Sequence, residues 1–266
     1  MGTLLKVLVH GATGKMGTEV LSAVTKQADM IVVAGVSSST QAPTYIENTG
    51  SDPIPLSNNL EKMIKDHEPD VIVDFTNSEA SMKASRIASS LGVNLVIGST
   101  GFTKDNLVEI EKLAETNGTS VFMASNFAIG AILIMQMSKL VGKFFDYADI
   151  VEMHHEAKID SPSGTALSIA NKLLEDRDTS FTRTTTEKET IEGTRGGETG
   201  GVTIHSVRMP GRMAHHQVVL GTQGQTLTLS HDTINRECYM PGVILATREV
   251  VKNKGVMIGL EKLLGL

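Results

Sequence analysis

Short apolar runs alternate with amphipathic segments through the first half of the chain. The runs are typical of strands buried on both faces, and the segments between them repeat apolar residues at helical spacing. The predicted strands are Leu5–His10, Met30–Val36, Val71–Phe75, Asn94–Ile97 and Ser120–Met123, and the predicted helices are Met16–Gln27, Leu60–Asp66, Glu79–Leu91 and Lys104–Thr116. This order indicates a parallel sheet with helices on both faces. Asn58 and Glu61 predict one helix start as a capping pair, and Gly92 and Gly118 predict two helix ends.

The pattern changes after residue 126. The predicted elements are a helix over Ile129–Phe145, a strand over Asp149–His154, a helix over Gly164–Leu174, a polar stretch over Glu175–Gly201, and strands over Val202–Arg208, His216–Leu220 and Thr226–Ser230. Strands clustered in this way predict a second domain with a mixed sheet. The last segment, Pro241–Leu266, is amphipathic. We expect it to be helical and to pack on the first domain.

Composition narrows the class of protein. The chain has 266 residues, of which 40% are apolar, so it can bury one large core or two moderate ones. Apolar runs fall short of the roughly 20 residues of a membrane span, and no signal-peptide pattern is seen, so we expect a cytoplasmic protein. The single cysteine, Cys238, excludes an intrachain disulfide. A net charge of −6 without a Lys/Arg cluster argues against nucleic acid as a partner.

The first chemical signal is "VLVHGATGKMG", residues 7–17, in which an apolar strand runs into a glycine-rich turn. Gly11, Gly14 and Gly17 open the following helix. In this setting glycine lets the backbone approach a pyrophosphate at the helix N-terminus. The spacing G-x-x-G-x-x-G is a variant of the usual dinucleotide motif, and a purely steric turn is the alternative. The position after the first strand favours dinucleotide binding.

The end of the second strand bears on the choice of cofactor. An Asp or Glu there normally accepts the ribose 2′-hydroxyl of NAD. Here the stretch is "GVSSST", and no carboxylate occurs between Asp29 and Glu47. Ser37 and Ser38 can donate hydrogen bonds to a 2′-phosphate, and Lys15 can supply positive charge. We therefore predict a preference for NADPH with NADH as the second possibility, whereas a polar loop without a cofactor role is the alternative.

Two further loops follow the next predicted strands. "DFT" supplies Asp74, Phe75 and Thr76, and "GSTGF" includes Gly98 and Thr100. Ligands of open α/β sheets bind outside the carboxyl ends of the strands, so these loops are candidates for contacting nicotinamide or substrate. Ordinary turn chemistry would also account for the glycine and the hydroxyl residues.

The densest chemical signal is "HHEAKIDSPSGTAL", from His154 to Leu167. Histidine transfers protons near neutral pH, and Lys158 can donate a proton or hold an anion. The Gly164–Thr165 turn opens a helix whose N–H groups can hold a carboxylate. His154 and His155 point to opposite faces if the segment is extended, so at most one of them is expected to be catalytic. A packed structural histidine is the alternative for either one.

A metal site is not expected. The pairs His154–His155 and His215–His216 are candidate ligands, but adjacent histidines rarely converge on one ion. The chain also has neither an H-E-x-x-H motif nor a cysteine pair.

These motifs together carry a resemblance to a known family. "GATGKMG", "DFT", "GSTGF", "SNFAIG", "HHEAKIDSPSGTAL", "IHSVR" and "NR" before "PG" occur in this order over almost the whole chain. The set resembles the 4-hydroxy-tetrahydrodipicolinate reductase (dihydrodipicolinate reductase) family. The H-H-x-x-K-x-D-x-P-S-G-T block is highly specific to that family, whereas the glycine motif alone is not.

The resemblance implies a fold and an activity. It implies an α/β protein with a Rossmann-like dinucleotide-binding domain, residues 1–126 and 240–266, and a second α+β domain with a mixed sheet, residues 127–239. The second domain is expected to bind the dicarboxylate substrate and to build a homotetramer. The implied reaction is NAD(P)H-dependent reduction of 4-hydroxy-tetrahydrodipicolinate to tetrahydrodipicolinate in the diaminopimelate route to lysine.

Site roles follow from the same motif positions. The resemblance implies that His154 is a proton donor or acceptor, that Lys158 is a proton donor, and that His155 and the Gly164–Thr165 turn bind the substrate. Thr100 is predicted at both the substrate and the cofactor. With the residues singled out above, the predicted cofactor site comprises Gly11, Gly14, Lys15, Met16, Gly17, Ser37, Ser38, Asp74, Phe75, Thr76, Gly98, Thr100, Ser125, Asn126 and Phe127.

Two other functions fit part of the pattern. Another NADPH-dependent imine or aldehyde reductase would keep the glycine loop but lack the block that begins at His154. A non-catalytic NADP-sensing protein would bind the nucleotide, while the histidines and the lysine would only pack or form an oligomer contact. Turnover of the substrate separates the reductase from both.

Overall fold

The computed structural model describes residues 3–41, 43–47 and 52–266. The chain divides into two compact units. Met1–Ala128 and Tyr239–Leu266 form the first unit, and Ile129–Cys238 form the second. The roles predicted for the two domains, nucleotide binding and substrate binding, stay predictions.

The first unit is built on a sheet of eight strands in the order β13-β7-β6-β5-β1-β2-β4-β3. Neighbouring strands are parallel except for β3, which is antiparallel to β4. Its elements are β1 (Leu5–His10), α1 (Lys15–Thr25), β2 (Met30–Val36), β3 (Thr44–Ile46), β4 (Ile54–Ser57), α2 (Leu60–His67), β5 (Val71–Asp74), α3 (Ser78–Ser90), β6 (Asn94–Ile97), α4 (Lys104–Asn117) and β7 (Ser120–Met123), then α7 (Met240–Val250), β13 (Gly255–Ile258) and α8 (Leu260–Leu263). The predicted doubly covered parallel sheet is confirmed.

Local signals explain most helix boundaries in this unit. The side chain of Asn59 accepts a hydrogen bond from the Lys62 N–H, so the cap of α2 is Asn59 and the predicted cap at Asn58 is wrong by one residue. A one-residue shift places the amide oxygen over the third helical N–H group, where a cap is needed. Gly118 ends α4 in the left-handed region with φ of 66°, as predicted.

The C-terminal segment corrects another prediction. Pro241–Leu266 was expected to be helical throughout, but β13 lies between α7 and α8. Val256, Met257 and Ile258 pair in parallel with β7 and extend the sheet by one strand. A four-residue apolar run has no periodicity that separates a strand from a helix, so only the free edge of β7 reveals its state. The short strands β3 and β4 were missed for the same reason.

The second unit contains a five-stranded mixed sheet in the order β12-β11-β8-β10-β9, in which β8 and β10 are parallel and the other pairs are antiparallel. Its elements are α5 (Ile129–Gly142), β8 (Tyr147–His154), α6 (Gly164–Leu174), β9 (Gly197–Thr199), β10 (Val202–Arg208), β11 (Ala214–Thr222) and β12 (Gln225–Thr233). Apolar residues of α5 and α6, such as Ile134 and Ile169, form one core with Ile150 and Val218 of the sheet. The predicted mixed sheet is confirmed, and β9 lies within the polar stretch Glu175–Gly201, for which no strand was predicted.

Candidate active site

The carboxyl ends of the parallel strands in the first unit place the predicted cofactor loops at one edge of the sheet. Gly11 follows β1 with φ of +84°, a conformation that favours glycine. A Cβ atom on Gly17 would lie 2.0 Å from the carbonyl oxygen of Gly11. These two glycines therefore let α1 begin directly against the end of β1. Gly14 is less restricted, since a Cβ there would meet only that carbonyl, at 3.2 Å.

The N-terminus of α1 is open to an anion. The helices α2, α3 and α4 each have a side chain that accepts a hydrogen bond from a first-turn N–H group. The cap of α1 is Gly14, which has no such side chain, and the first turn contains no acidic residue. Lys15 is exposed at the first helical position, and Met16 follows it, half-buried. Unsatisfied N–H groups, the helix dipole and a lysine are the features that a pyrophosphate requires.

The loop after β2 lies beside the glycine turn. The Ser37 hydroxyl is buried and lies 2.5 Å from the Thr13 hydroxyl and 2.9 Å from that of Ser39. Ser38 is exposed. The two predicted hydrogen-bond donors therefore differ. The Ser37 hydroxyl connects the loop after β2 to the glycine turn, whereas the Ser38 hydroxyl is accessible to a ligand.

Asp74 lies at the end of β5 and is completely buried. Its Oδ2 atom lies 2.7 Å from Nδ1 of His10. Its Oδ1 atom accepts hydrogen bonds from the backbone and hydroxyl of Thr76 and from the hydroxyls of Ser81 and Ser99. Burial by itself would raise the pKa of Asp74, but the hydrogen bonds from His10 and Thr76 hold this pKa below 3.8. The carboxylate thus connects the last residue of β1 to the loops after β5 and β6.

Phe75 and Gly98 occupy the next part of the edge. A Cβ atom on Gly98 would lie 2.1 Å from the Phe75 ring, so this aromatic ring packs directly against the glycine backbone. The Phe75 ring also contacts that of Phe127, with centroids 5.6 Å apart. Of the other predicted residues, Thr100 and Ser125 are exposed, and Asn126 accepts a hydrogen bond from the Ala128 N–H.

In the second unit, the two adjacent histidines at the end of β8 have different environments. His154 is buried on the face that packs against the helices, whereas His155 follows the strand and is exposed. The Nδ1 atom of His154 lies 2.5 Å from Oε2 of Glu152, which is completely buried. Burial lowers the pKa of His154, and the adjacent Glu152 carboxylate opposes this shift. With Nδ1 engaged, Nε2 is the ring atom that can exchange a proton with a ligand.

The remaining predicted residues lie in the loop and helix after β8. The Nζ atom of Lys158 lies 2.6 Å from Oδ1 of Asp160. The hydroxyl of Ser163 caps α6 by accepting from the Ala166 N–H, and the same hydroxyl lies 3.2 Å from Nε2 of His216. Since the Ser163 hydroxyl satisfies the third N–H group of the helix, the preceding N–H groups, of Gly164 and Thr165, are not used by the cap and can bind an anion.

Several residues of these sites were not predicted. These residues are His10, Ser99, Glu152, Arg208 and His216. His10 and Ser99 bind Asp74, Glu152 binds His154, the His216 ring contacts that of His154, and Arg208 binds Glu152. One signal was available for Glu152, because it stands two residues before His154 and so shares its face of the strand. A carboxylate at an inward strand position normally has a partner of opposite charge.

The described residues also bear on metal ions and membranes as partners. Within residues 3–41, 43–47 and 52–266, no group of three or more His, Cys, Asp or Glu side chains is placed to hold a metal ion. None of the helices in the same ranges is long and apolar enough to cross a bilayer.

Comparison with known sequences decides the family. The model described as "Dihydrodipicolinate reductase, N-terminus" matches residues 5–127, and the one described as "Dihydrodipicolinate reductase, C-terminus" matches residues 130–264. The chain belongs to the dihydrodipicolinate reductase family. It is therefore a dinucleotide-dependent oxidoreductase, and the predicted family and enzyme class are confirmed.

Relatives of the family match over their full length. The protein named 4-hydroxy-tetrahydrodipicolinate reductase of Dehalococcoides mccartyi (strain CBDB1) is 46% identical over 264 residues, which are 99% of this chain and 100% of the relative. The protein of the same name from Syntrophomonas wolfei is 39% identical over 97% of this chain and 98% of its own length. A solved dipicolinate-bound dihydrodipicolinate reductase from Paenisporosarcina sp. TG-14 superposes with a TM-score of 0.87 at 37% identity, covering 98% of this chain and 99% of that one.

Proposed function

We propose that this chain reduces 4-hydroxy-tetrahydrodipicolinate to tetrahydrodipicolinate, with NADPH as the preferred reductant, in the diaminopimelate route to lysine. The observation that carries the proposal is the arrangement around β8 and α6. A histidine held on a buried carboxylate, a lysine and an uncapped pair of helix N–H groups lie within 12 residues of sequence, from His154 to Thr165. This set suits a dianionic substrate that is protonated as it is reduced.

The loops at the sheet edge of the first unit would hold the dinucleotide. The uncapped N-terminus of α1, with Gly14 and Lys15, fits the pyrophosphate. A groove of about 500 Å³ lies beside the ends of β1 and β2 and is lined by residues that include His10, Val36 and Lys83. We assign the adenosine end of the cofactor to this groove, since ligands of such sheets bind beyond the carboxyl ends of the strands.

The preference for NADPH rests on the loop after β2. A carboxylate that would repel a 2′-phosphate is missing between Asp29 and Glu47. The exposed hydroxyl of Ser38 and the exposed ammonium of Lys15 would stabilise that phosphate. Asp74 orders the loops of the proposed cofactor site through its hydrogen bonds. The remaining residues of this site are Phe75, Thr76, Gly98, Thr100, Ser125, Asn126 and Phe127.

Substrate binding and proton transfer are assigned to the second unit. The nicotinamide supplies a hydride when it is bound. The N–H groups of Gly164 and Thr165 would hold one carboxylate of the substrate, and the exposed His155 would add a second polar contact. Loss of the 4-hydroxyl group as water would leave a conjugated imine; a hydride added to this imine would place negative charge on it, and Nε2 of His154 or Nζ of Lys158 would deliver the balancing proton. Lys158 leaves its ion pair with Asp160 when it does so.

The proposed assembly is a homotetramer formed through the second unit. Alternate residues of β8 support it. Ala148, Ile150 and Glu152 are buried toward the helices, whereas Val151 and Met153 lie half-buried on the opposite face of the sheet. An apolar central strip on a sheet face is typical of a subunit interface. We assign the enzyme to the cytoplasm, in keeping with its one free cysteine, Cys238.

A coupled assay tests the proposal. Pyruvate and aspartate semialdehyde are converted to fresh substrate by the preceding synthase, and the loss of NADPH or NADH absorbance is followed after this chain is added. We expect substrate-dependent oxidation with a higher kcat/KM for NADPH. Tight NADPH binding without oxidation would reject the reductase and favour the nucleotide-sensing alternative.

A further inference from the structure

Glu152 receives hydrogen bonds from three different segments of the second unit. Its Oε2 atom accepts from Nδ1 of His154 at 2.5 Å and from Nη1 of Arg208 at 2.9 Å. Its Oε1 atom accepts from Nη2 of Arg208 at 2.7 Å and from the backbone N–H of Ser163 at 3.2 Å. The carboxylate has no solvent exposure. Both oxygens are therefore fully occupied by protein donors, and no substrate atom can reach them.

Arg208 extends this network to the loop that carries Lys158. Besides its two-pronged contact with Glu152, the guanidinium donates from Nη2 to the carbonyl oxygen of Asp160 at 2.8 Å. Lys158 is paired with the side chain of that same Asp160. A planar guanidinium fixes its partners in both distance and direction, which a lysine ammonium cannot do. One ion pair thus sets the positions of the histidine, the start of α6 and the loop between them.

We propose that Glu152 and Arg208 are positioning residues that hold His154 with its proton on Nδ1 and lock the lysine loop and the carboxylate-binding turn at a fixed distance from it. The inference rests on the proposed function, since it concerns the same histidine, lysine and turn. Neither side chain is a catalytic residue. Their effect passes through His154, through the Ser163 N–H at the start of α6, and through the Asp160 carbonyl.

The charges around His154 determine in which direction its pKa changes when Glu152 is neutralised. It faces Glu152 on its own strand, Arg208 on β10, His216 on β11, and Lys158 in the following loop. Glu152 is the only one of these four groups that carries negative charge. Hydrogen bonds from Arg208 and His154 outweigh the effect of burial and hold the pKa of Glu152 at about 2, so it remains ionised. Neutralising it leaves only the cations, and the pKa of His154 should fall further.

The primary test is Glu152→Gln in the full-length enzyme. A glutamine turns one acceptor oxygen into an NH2 group that faces donors, so His154 must exchange its tautomer or lose its partner. We expect kcat to fall about 10²-fold or more. The pH profile of kcat/KM should contain one limb that follows the protonation of His154. We expect this limb to move to lower pH by about one unit in the variant. In 15N spectra of the histidines, the wild-type His154 should carry its neutral-state proton on Nδ1, and the variant should not.

The matched control is Glu109→Gln. Glu109 also accepts two hydrogen bonds from one arginine, from Nε and Nη2 of Arg86, but on the surface of the first unit. This control should keep the wild-type kcat, pH profile and histidine spectrum. A wild-type circular dichroism spectrum and a wild-type thermal unfolding transition show that Glu152→Gln is folded, because NADPH affinity reports only on the first unit. If Glu152→Gln fails to fold, Arg208→Lys serves instead, because it keeps the positive charge and removes the two-pronged guanidinium contact with Glu152. It should raise KM about tenfold and leave the His154 limb in place.

Each result has a definite meaning. A wild-type His154 with its proton on Nε2, or a Glu152→Gln enzyme with unshifted pH limb and near-normal kcat, overturns the positioning role. If the wild-type enzyme itself oxidises no NADPH with the substrate, the proposed function fails. The tautomer measurement still decides the inference in that case, because it requires no turnover.

Discussion

Asp74 and Glu152 are completely buried carboxylates, one in each unit. Each accepts hydrogen bonds from donors on several segments, so each orders the loops around it instead of facing a ligand. Removing such an acceptor costs more than one hydrogen bond, because every buried donor around it loses a partner. At the residue scale, the sites therefore depend as much on these two acceptors as on the residues that would touch ligands.

Asp74→Asn should show this dependence as a loss of stability with a specific pH signature. We expect the free energy of unfolding to fall by about 1 to 3 kcal/mol at pH 7. The folded-state pKa of Asp74 lies below 3.8, so its contribution is present above pH 3.8 and is lost as the pH falls toward the folded value. Urea unfolding at several pH values should show a smaller acid-dependent slope for the variant. Asp178→Asn, an exposed control, should match the wild-type curve.

Lys158→Ala tests the proposed proton donor. Because proton transfer by a positioned side chain contributes about 10²-fold or more to a rate, kcat should fall by at least that factor. Steady-state NADPH oxidation measures the effect. Lys172→Ala provides the control, since Lys172 forms an ion pair with Glu175 on the surface of α6 away from the turn. A wild-type kcat in Lys158→Ala would remove this lysine from proton transfer.

At the scale of secondary structure, the helix N-termini differ in how they are capped. The cap of α1 is a glycine without a side chain, which leaves first-turn N–H groups for a phosphate. The cap of α6 is Ser163. Its hydroxyl accepts a hydrogen bond from the Ala166 N–H and lies 3.2 Å from Nε2 of His216, and its backbone N–H donates to Glu152. The caps of α2 and α3 are Asn59 and Asn77, whose side-chain oxygens accept hydrogen bonds from the Lys62 and Ala80 N–H groups. Capping chemistry thus separates helices whose first turn is closed by one dedicated side chain, such as α2 and α3, from helices whose first-turn N–H groups are left for an anion.

Ser163→Ala and Asn59→Ala form a matched pair for this distinction. Both remove an N-cap, so both should lower the free energy of unfolding by about 0.5 to 2 kcal/mol. Only Ser163→Ala should raise the KM for the dicarboxylate, because it loosens the start of α6 where the Gly164 and Thr165 N–H groups lie. Thermal unfolding and steady-state kinetics on both variants give the comparison. An equal KM in the two variants would contradict the assignment of the α6 turn to the substrate.

At the scale of the whole molecule, the mixed sheet of the second unit has two different faces. Helices α5 and α6 cover one face with a closed core. The other face has Val151 at the centre of β8, opposite Gln217 of β11 and His205 of β10. A half-buried apolar residue on the central strand of an open face is where a partner subunit would exclude water.

Val151→Glu should therefore break the proposed homotetramer. A carboxylate buried without a partner at an interface is strongly unfavourable, so sedimentation velocity should show a smaller species in place of four chains. Val108→Glu introduces the same charge at a 63% exposed position of α4 and should leave the mass unchanged. A wild-type Val151 protein that sediments as a monomer would contradict the tetramer directly.

The sequence by itself determined the strand–helix alternation, the glycine turn and the block from His154 to Thr165. These features are local, because apolar runs, turn residues and motif spacing each depend only on residues that are close together in the sequence. The boundaries of β1, β2, β6 and β7 were predicted to the residue. The family followed from the same local motifs, because their order along the chain was sufficient to identify it.

Only the tertiary structure decided which polar groups meet. Arg208 reaches Glu152 across 56 positions of sequence, and His10 reaches Asp74 across 64. Short strands such as β13 likewise have no pattern of their own and form because a neighbouring edge offers hydrogen bonds. Pairing between distant positions depends on sheet order and register, which a linear pattern does not encode. The residues that would do the chemistry were therefore visible in the sequence, whereas the residues that hold them in place required the fold.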